Sequence, residues 1–434
     1  MSGNKIFLIA TVFPIFVSSL FAQSKSYAIR AARLFDGTSN SLVEPGLIVV
    51  SDGKIQSVGG RNIPVGATII DLGDATLLPG FIDAHTHLSQ EFDADYNGAA
   101  LRSLQRTIPE VSIRATVNAR KTLMAGFTTV RDVGSDEFVD VGLRNAINAG
   151  VVPGPRMLVA VHALGSTGGH CDGGAGFRFG ILNHEMGPED GVINSPEQAR
   201  FAVRFNIKYG ADVIKTCASG GVLSPTDDVD VPQLSQEELN AIVEEAHTLR
   251  RKTAAHAHGA EAAKRAIRAG IDSIEHGTFI DDEALRMMHD KGTFLVPTLT
   301  TRIGLKESKF PPLVQAKADQ AVAQQDNMVK RALALGVRIA LGTDAAVYPH
   351  GENAAEFVFM AADGMTPAQS LHAGTSVAAD LLGLANKVGI LRPGMLADVV
   401  AVPGNPLSDI KVTQSVFFVM KEGVVYRNDR QSAR

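Results

Sequence analysis

The feature that most constrains this 434-residue chain is a repeated alternation of short apolar segments and helical segments between Leu77 and Asp344. Such alternation predicts parallel strands joined by crossover helices. The expected strands end or lie at eight places, namely 85–87, 127–132, 157–162, 211–217, 252–256, 272–276, 294–298 and 338–344. We therefore expect an α/β fold in which residues 75–387 form a (β/α)8 TIM barrel.

Several helix boundaries can be predicted from local chemistry. Ser195-Pro196 places an N-capping hydroxyl before a proline in the first helical turn, and Ser235 with Glu238 forms a capping box. Glycine follows many of the helical segments, where it suits the C-terminal cap. The expected helices cover 109–125, 139–149, 196–209, a stretch from 236, 261–269, 281–291 and 312–335, with two more near 352–362 and 366–382.

Both ends of the chain have strand character. Residues 27–74 contain short β-prone runs separated by Asp36-Gly37 and Asp52-Gly53, and Asp-Gly pairs are typical of hairpin turns. Strand character returns near 393–402 and 416–420. We expect residues 27–74 and 388–430 to form one small β-sandwich domain beside the barrel.

The N-terminus resembles a targeting segment. Lys5 precedes an uncharged apolar run of 16 residues, Ile6 to Phe21, and Ala22 stands at a suitable cleavage position. This pattern predicts a signal peptide over residues 1–22 and an exported protein, periplasmic or secreted. The alternative is a membrane anchor, but the run is short and contains Pro14. We expect no membrane span after removal of the signal.

Composition excludes some partners. The formal net charge of −5 provides no basic surface for nucleic acid.

The two cysteines, Cys171 and Cys217, are too few for a disulfide framework. They could form one bond in an oxidising compartment, but the sequence favours two separate small residues near the barrel mouth.

The residues with chemical function lie at the expected strand ends. His85 and His87 are two residues apart, so a strand projects both to one side, where their imidazoles can bind a metal. In a parallel barrel the C-terminal strand ends share one face, and that face would also carry Lys215, His256, His276 and Asp344. An ammonium repels a metal, but a carbamate formed from Lys215 and carbon dioxide could bridge two divalent ions.

Together these motifs resemble the amidohydrolase superfamily in its binuclear form with a carboxylated lysine. The resemblance covers about residues 27–430. Its motifs are His85-Thr86-His87, Lys215, Ala255-His256-Ala257-His258-Gly259, Ile274-Glu275-His276-Gly277, Gly342-Thr343-Asp344-Ala345 and Pro393-Gly394-Met395-Leu396-Ala397-Asp398.

The resemblance implies a role for each matched residue. His85, His87 and Asp344 would bind the more buried of two metal ions, most simply zinc. His256 and His276 would bind the more exposed ion, and carboxylated Lys215 would bridge the two ions together with a hydroxide. That hydroxide would attack the scissile carbonyl, and Asp344 would carry its proton to the leaving nitrogen.

Within the superfamily, the chain is most similar to the Xaa-Pro dipeptidase and carboxypeptidase-like group, which is related to imidazolonepropionase and to ochratoxin amidohydrolases. This similarity rests on Thr167–His170, Ser219–Asp227 and Glu244–His247. It implies hydrolysis of an amide bond next to a free amino-acid carboxylate, with dipeptides, N-acyl amino acids and ochratoxin-type amides as candidate substrates. Leu234 departs from an aromatic residue that often helps to hold the substrate carboxylate.

Several interpretations stay open. Hydrolysis of a cyclic amide or a lactone is the rival reaction, and a metal-free scaffold on the same fold is the non-enzymatic alternative. His258 shares a strand face with His256, and we expect it on the substrate side. His170 either contacts the substrate or only orders its glycine-rich loop. A homo-oligomer fits the resembling group, although the sequence does not indicate a subunit number.

Overall fold

The computed structural model describes residues 26–182 and 184–430. The predicted signal peptide, residues 1–22, lies outside the described residues. Within them, none of the helices combines the length and the apolar character needed to cross a bilayer.

The two chain ends form two sheets. Their strands are β1 (Tyr27–Ala31), β2 (Arg33–Leu34), β3 (Gly46–Ser51), β4 (Lys54–Val58), β5 (Thr68–Asp71), β6 (Ala75–Pro79), β14 (Val399–Pro403), β15 (Phe418–Lys421) and β16 (Val424–Asn428). One sheet has the order β4-β3-β1-β5, and the other has the order β16-β15-β14-β6-β2. Ile29, Ile48, Leu77, Val399 and Phe418 belong to one buried cluster, so the N-terminal and C-terminal strands share a hydrophobic core.

The apolar run 75–82 does not form one strand. β6 pairs antiparallel with β14, with Pro79 opposite Val399, whereas the next strand starts at Phe81 and belongs to a parallel sheet. Gly80 separates them, and a Cβ at this position would lie 2.2 Å from the Thr128 hydroxyl oxygen. Residues 75–79, which the sequence placed at the start of the barrel, therefore belong to a terminal sheet.

The parallel strands between the chain ends occupy two sheets. The first has the order β7-β8-β9 and the second the order β10-β11-β12-β13. Their bounds are β7 (Phe81–Thr86), β8 (Phe127–Asp132), β9 (Arg156–Val159), β10 (Val213–Cys217), β11 (Lys252–Gly259), β12 (Ser273–Phe279) and β13 (Phe294–Val296). These ladders do not make one continuous eight-stranded ring, and the expected strand 338–344 forms no ladder of its own.

Backbone hydrogen bonds nevertheless join the edges of these parallel sheets. Asp212 N donates to Val159 O over 2.7 Å between β9 and β10. At the other edge, Ala340 N donates to Leu295 O, and Ala84 N donates to Leu341 O, each over 2.9 Å. The segment around residues 339–341 thus lies between β13 and β7, where the eighth strand was expected.

The helices agree closely with the sequence pattern. Ser195 Oγ accepts from Gln198 N, and Ser235 and Glu238 form the predicted capping box. The short helices α1 and α8 were not predicted. The helices are α1 (Tyr96–Gln105), α2 (Ile108–Met124), α3 (Val139–Asn148), α4 (Pro196–Lys208), α5 (Gln236–Thr248), α6 (Ala260–Ala269), α7 (Asp282–Lys291), α8 (Thr301–Glu307), α9 (Pro312–Ala334), α10 (Ala355–Ala362), α11 (Pro367–His372) and α12 (Ala378–Leu381).

Candidate metal centre

The C-terminal ends of the parallel strands open into a cavity of about 890 Å³. All the side chains predicted to bind metal line this cavity, and so do the two predicted substrate-side histidines. The eight residues are His85, His87, His170, Lys215, His256, His258, His276 and Asp344. The structure therefore brings together every site residue predicted from the sequence.

Within the cavity the ligand-type side chains form two groups. The candidate ligand atoms of His85, His87 and Asp344 all lie within 4.8 Å of one another. An Asp344 carboxylate oxygen is 3.4 Å from His85 Nε2 and 3.3 Å from His87 Nε2. Atoms with this spacing can converge on a single ion, so the first group suits the buried metal position.

The second group is made only of histidines. His256, His258 and His276 place one ring nitrogen each within 4.8 Å of one another. The rings of His85 and His276 have centroids 4.9 Å apart, so the two groups are direct neighbours. His258, expected on the substrate side, thus lies with the two histidines expected to hold the exposed metal.

The hydrogen bonds of the rings determine which nitrogen is open to a metal. A ring nitrogen that donates to an oxygen leaves the opposite nitrogen with its lone pair. In four histidines Nδ1 is engaged and Nε2 is the nitrogen left for a ligand. At His85 and His87 the partner oxygen can only accept, so Nδ1 carries the proton; at His258 and His276 the partner is a hydroxyl, which can donate or accept. The contacts run from His85 to Glu275 Oε2 (2.8 Å), from His87 to Gly134 O (3.0 Å), from His258 to Thr278 Oγ1 (2.9 Å) and from His276 to Thr298 Oγ1 (2.8 Å).

His256 is oriented in the opposite way. Its Nε2 lies 3.0 Å from Gly220 O, and a carbonyl oxygen can only accept, so Nε2 carries the proton. Nδ1 is then the nitrogen with a free lone pair. Each of these rings thus has an outer partner, and such partners orient the histidines of metal sites.

Two of the residues predicted to bind metal have unusual backbone conformations. His276 has a φ of 70° and Asp344 a φ of 59°, and non-glycine residues rarely adopt this left-handed region. Such conformations persist where the surroundings hold the backbone, often at functional sites. Although Glu275 and His276 are consecutive, Glu275 contacts His85 and His276 lines the cavity.

A buried ion pair that was not predicted from the sequence lies next to the candidate metal centre. Arg131 Nη2 is 2.8 Å from Glu275 Oε1, and the two side chains are 1% and 0% exposed. Arg131 also donates to Ala84 O and to Ser273 Oγ. Burial raises the pKa of Glu275, but Arg131 and His85 lower it to about 2 overall. Glu275 is therefore ionised and accepts the proton of His85 Nδ1.

Lys215 lines the same cavity as the two groups. It is 3% exposed, and within the described part of the chain no hydrogen bond or ion pair engages its Nζ. Burial lowers the pKa of Lys215 to about 8, although the carboxylates of Glu275 and Asp344 act in the opposite direction. A buried amine that has no partner among the described residues calls for an explanation, and the predicted bridging role would supply one.

The charge states of the other site residues suit cation binding. Burial lowers the pKa of His256 and His276 well below the ordinary value, and nearby histidines lower it further. Burial raises the pKa of Asp344, but His85 and His87 hold it well below the usual range. At neutral pH the second histidine group thus offers neutral imidazoles and Asp344 a carboxylate, which are the forms that ligate metals. Burial acts to lower the pKa of His87 as well, but Asp344 raises it above the ordinary value, so this ring would release a proton on binding an ion.

His170 projects from the glycine-rich loop after β9. Its Nδ1 lies 2.5 Å from Ser224 Oγ, and its ring centroid is 4.2 Å from that of His256. Burial lowers the pKa of His170 to about 4, so the ring is neutral. His170 therefore stands directly beside the second histidine group.

One prediction about the cysteines was wrong. Cys171 and Cys217 form a disulfide rather than remaining separate. The bond joins the loop that carries His170 to the strand that carries Lys215, and both cysteines line the cavity. Sequence alone could not indicate the pairing, because it depends on a loop folding back onto the end of β10.

Leu234 does not reach the cavity. It is buried in the main hydrophobic core, so an aromatic residue at this position would need a different local structure to contact a substrate. The aromatic side chains that line the cavity come from other segments and include Phe92, Tyr96, Phe138 and Phe310.

Comparison with known proteins agrees with this geometry. The Amidohydrolase family profile matches residues 76–427. Ochratoxinase from Aspergillus niger is 34% identical over 427 residues, covering 93% of this chain and 87% of that protein. Imidazolonepropionase from Ralstonia nicotianae is 26% identical over 380 residues, covering 82% of this chain and 86% of that protein.

A solved structure is similar over nearly the whole chain. The crystal structure of a Xaa-Pro dipeptidase with methionine bound in its active site has a TM-score of 0.87 at 39% identity, and the match covers 93% of this chain and 100% of that chain. The predicted resemblance and the α/β fold class are thereby confirmed. This chain belongs to the amidohydrolase family and is a metal-dependent hydrolytic enzyme.

Proposed function

We propose that this enzyme hydrolyses an amide bond next to a free amino-acid carboxylate. The observation that carries the proposal is the meeting of two groups of metal-ligand side chains in one cavity that Lys215 also lines. The similarity to ochratoxinase and to a Xaa-Pro dipeptidase with bound methionine supports this substrate class. Candidate substrates are dipeptides and N-acyl amino acids, including ochratoxin-type amides.

The proposed centre holds two divalent ions. His85, His87 and Asp344 would hold one ion, and His256 with His276 would hold the other. Lys215, as a carbamate, would reach both. Zinc is the first candidate because imidazole and carboxylate ligands suit it. When bound, the ions would polarise the scissile carbonyl and lower the pKa of a coordinated water.

The chain itself supplies proton transfer and substrate binding. Asp344 is ionised at neutral pH, so its carboxylate can accept a proton from the nucleophile and pass it to the departing nitrogen. His170 and His258 would contact the substrate carboxylate from the side of the second histidine group. A neutral ring would do so through an N–H donor, which in His258 requires that Nδ1 accept from the Thr278 hydroxyl.

A second candidate is hydrolysis of a cyclic amide or a lactone. The similarity to imidazolonepropionase favours it, and the same centre can serve either reaction because both begin with addition to a carbonyl. The two candidates differ in the group that leaves and in the need for a free carboxylate on the substrate.

We infer that the two parallel sheets and the segment near 339–341 form one closed (β/α)8 barrel. The hydrogen bonds Asp212 to Val159, Ala340 to Leu295 and Ala84 to Leu341 support closure. We also infer that the two terminal sheets make one β-sandwich domain, since they share a buried cluster.

We propose that the protein is exported to the periplasm or secreted. The apolar run from Ile6 to Phe21 supports this location. The disulfide between Cys171 and Cys217 supports it as well, because such bonds persist mainly in oxidising compartments.

The test combines metal analysis with a substrate panel. Dipeptides, N-acyl amino acids and lactones would be assayed on the wild type, on Lys215→Ala and on Lys121→Ala, an exposed lysine of α2 that serves as the control. We expect about two metals per wild-type chain and release of a free amino acid. Loss of the bridging ligand should lower activity about 100-fold or more, and the control should match the wild type.

Two further outcomes separate the hypotheses. If bicarbonate restores metal uptake to enzyme prepared without carbon dioxide, the carbamate is supported. Full activity in Lys215→Ala would refute the bridging role. Two metals with cleavage of lactones or cyclic amides, but no amino-acid release, would favour the second candidate.

A further inference from the structure

A lysine outside the metal centre inserts into a loop that contacts it. Lys317 lies on α9 and is 7% exposed. Its Nζ donates to the carbonyl oxygens of Gly221 (2.8 Å), Ser224 (2.6 Å) and Asp227 (2.9 Å). The Asp227 carboxylate lies 3.4 Å from the same nitrogen. One ammonium group thus makes hydrogen bonds to three carbonyl oxygens of the segment 219–228.

This arrangement fixes the shape of the segment. A buried ammonium is costly unless each N–H meets an acceptor and a counter-charge lies near, and Lys317 meets both conditions. Its three donors are all used by the chain, so none is left for a substrate. Lys317 can therefore influence the reaction only through the segment that it holds.

The segment 219–228 contacts two histidines of the site. Ser224 Oγ lies 2.5 Å from His170 Nδ1, and Gly220 O accepts from His256 Nε2 over 3.0 Å. The packing is tight, since a Cβ on Gly221 would lie 2.1 Å from His170 Nδ1. Movement of the segment would displace the ring of His170 directly.

A second route connects the same residues. The Asp227 carboxylate accepts from Gln233 Nε2 over 2.7 Å, and Gln233 Oε1 accepts from His170 N over 2.9 Å. The side chain and the backbone of His170 are therefore both tied to the segment that Lys317 anchors.

We propose that Lys317 is a positioning residue that holds the segment 219–228 in the shape that orients His170 towards the substrate. The inference rests on the proposed function for its kinetic readout. Lys317 lies about 100 residues from Lys215 in sequence and belongs to none of the motifs of the metal centre.

The experiment compares Lys317→Met with Lys330→Met, which removes an exposed lysine of the same helix. Hydrogen–deuterium exchange would be followed over residues 166–173 and 219–228. We expect faster exchange over both stretches in Lys317→Met and wild-type exchange in the control. This measurement requires no substrate, so it remains informative if the proposed reaction is wrong.

Kinetics test the positioning role itself. In metal-loaded enzyme, Lys317→Met should raise KM for the amide substrate about 10-fold or more, the scale of one charge-assisted hydrogen bond, while kcat changes less than about 3-fold. Ser224→Ala, which leaves the backbone contact to Lys317 in place, should raise KM as well. In the Ser224→Ala background, Lys317→Met should then add less than about 3-fold.

Three outcomes would overturn the proposal: unchanged exchange in Lys317→Met, a fall in kcat with KM unchanged, or full additivity of the two substitutions. If Lys317→Met does not fold, Ser224→Ala becomes the deciding variant, and an unchanged KM in that variant would refute the proposed route to His170.

Discussion

Replacing Glu275 with Gln tests how the buried metal position is built. The Glu275 carboxylate accepts from three groups, namely Arg131 Nη2 (2.8 Å), Ser273 Oγ (2.5 Å) and His85 Nδ1 (2.8 Å). Glutamine offers one carbonyl oxygen and one amide NH2 group. If the oxygen faces Arg131, the amide nitrogen faces His85 Nδ1 and donates to it, which forces the proton of the ring onto Nε2.

The replacement of Glu275 by Gln should lower both the affinity for metal and the free energy of unfolding. Nε2 is the atom of His85 that faces Asp344, and a protonated nitrogen cannot bind a metal. Loss of an outer partner of this kind typically weakens metal binding about 10- to 100-fold. The substitution also leaves the Arg131 guanidinium without its counter-charge at 1% exposure, which should cost about 3–5 kcal/mol of unfolding free energy.

The assay has two parts. Metal-free protein would be titrated with Zn²⁺ and its metal content measured, and the same protein would be unfolded in urea. Glu261→Gln, which breaks an exposed ion pair with Arg265, is the control and should change stability by less than about 1 kcal/mol. We expect one of the two ions to bind weakly in Glu275→Gln. Wild-type affinity for Zn²⁺ at every site of the proposed centre would refute the argument about the tautomer of His85.

Two other predictions concern stability. Replacing both Cys171 and Cys217 with Ser should lower the unfolding free energy by about 2–4 kcal/mol, because the bond closes a loop between residues 46 apart; urea unfolding of this variant should match that of reduced wild type, and an unchanged midpoint would contradict the prediction. Burial raises the pKa of Asp272, but hydrogen bonds from His247 and Lys252 hold it below the usual range. Because the folded pKa lies below the unfolded one, this carboxylate stabilises the fold above about pH 4, and the contribution is lost as the pH falls through the folded pKa. Urea unfolding between pH 7 and pH 3 should therefore show a smaller acid-induced loss for Asp272→Asn than for wild type, and equal losses would refute the assignment.

Much of the architecture and of the candidate site could be predicted from the sequence. Helix caps such as Ser195 and Ser235 act over three or four residues, so the local sequence contains the necessary information. The convergence of His85, Lys215 and Asp344 could be predicted for a different reason. Strand ends of a parallel sheet share one edge, and a residue at a strand end therefore has a known place once the strands are counted.

Other features depend on contacts that the local sequence does not encode. Regular alternation would place Glu275 and His276 on opposite faces, whereas Glu275 contacts His85 and His276 lines the cavity, and His276 has a left-handed backbone that the sequence does not indicate. Lys317 lies in a long polar helix, where a solvent-facing lysine is the ordinary expectation. Its burial depends on a loop that lies about 90 residues earlier in the chain.

The pairing of β6 with β14 has a consequence for the order in which the protein can be assembled during synthesis. β6 lies between β2 and β14 in its sheet, yet β14 is translated only after every parallel strand of the chain. At a translation rate of roughly 5–20 residues per second, tens of seconds pass between the synthesis of β6 and that of β14. During this time Leu77 and Leu78 have no antiparallel strand to pair with. The first strands to be made thus complete their sheet only when the C-terminal residues arrive, and truncation before Val399 would leave that edge open permanently.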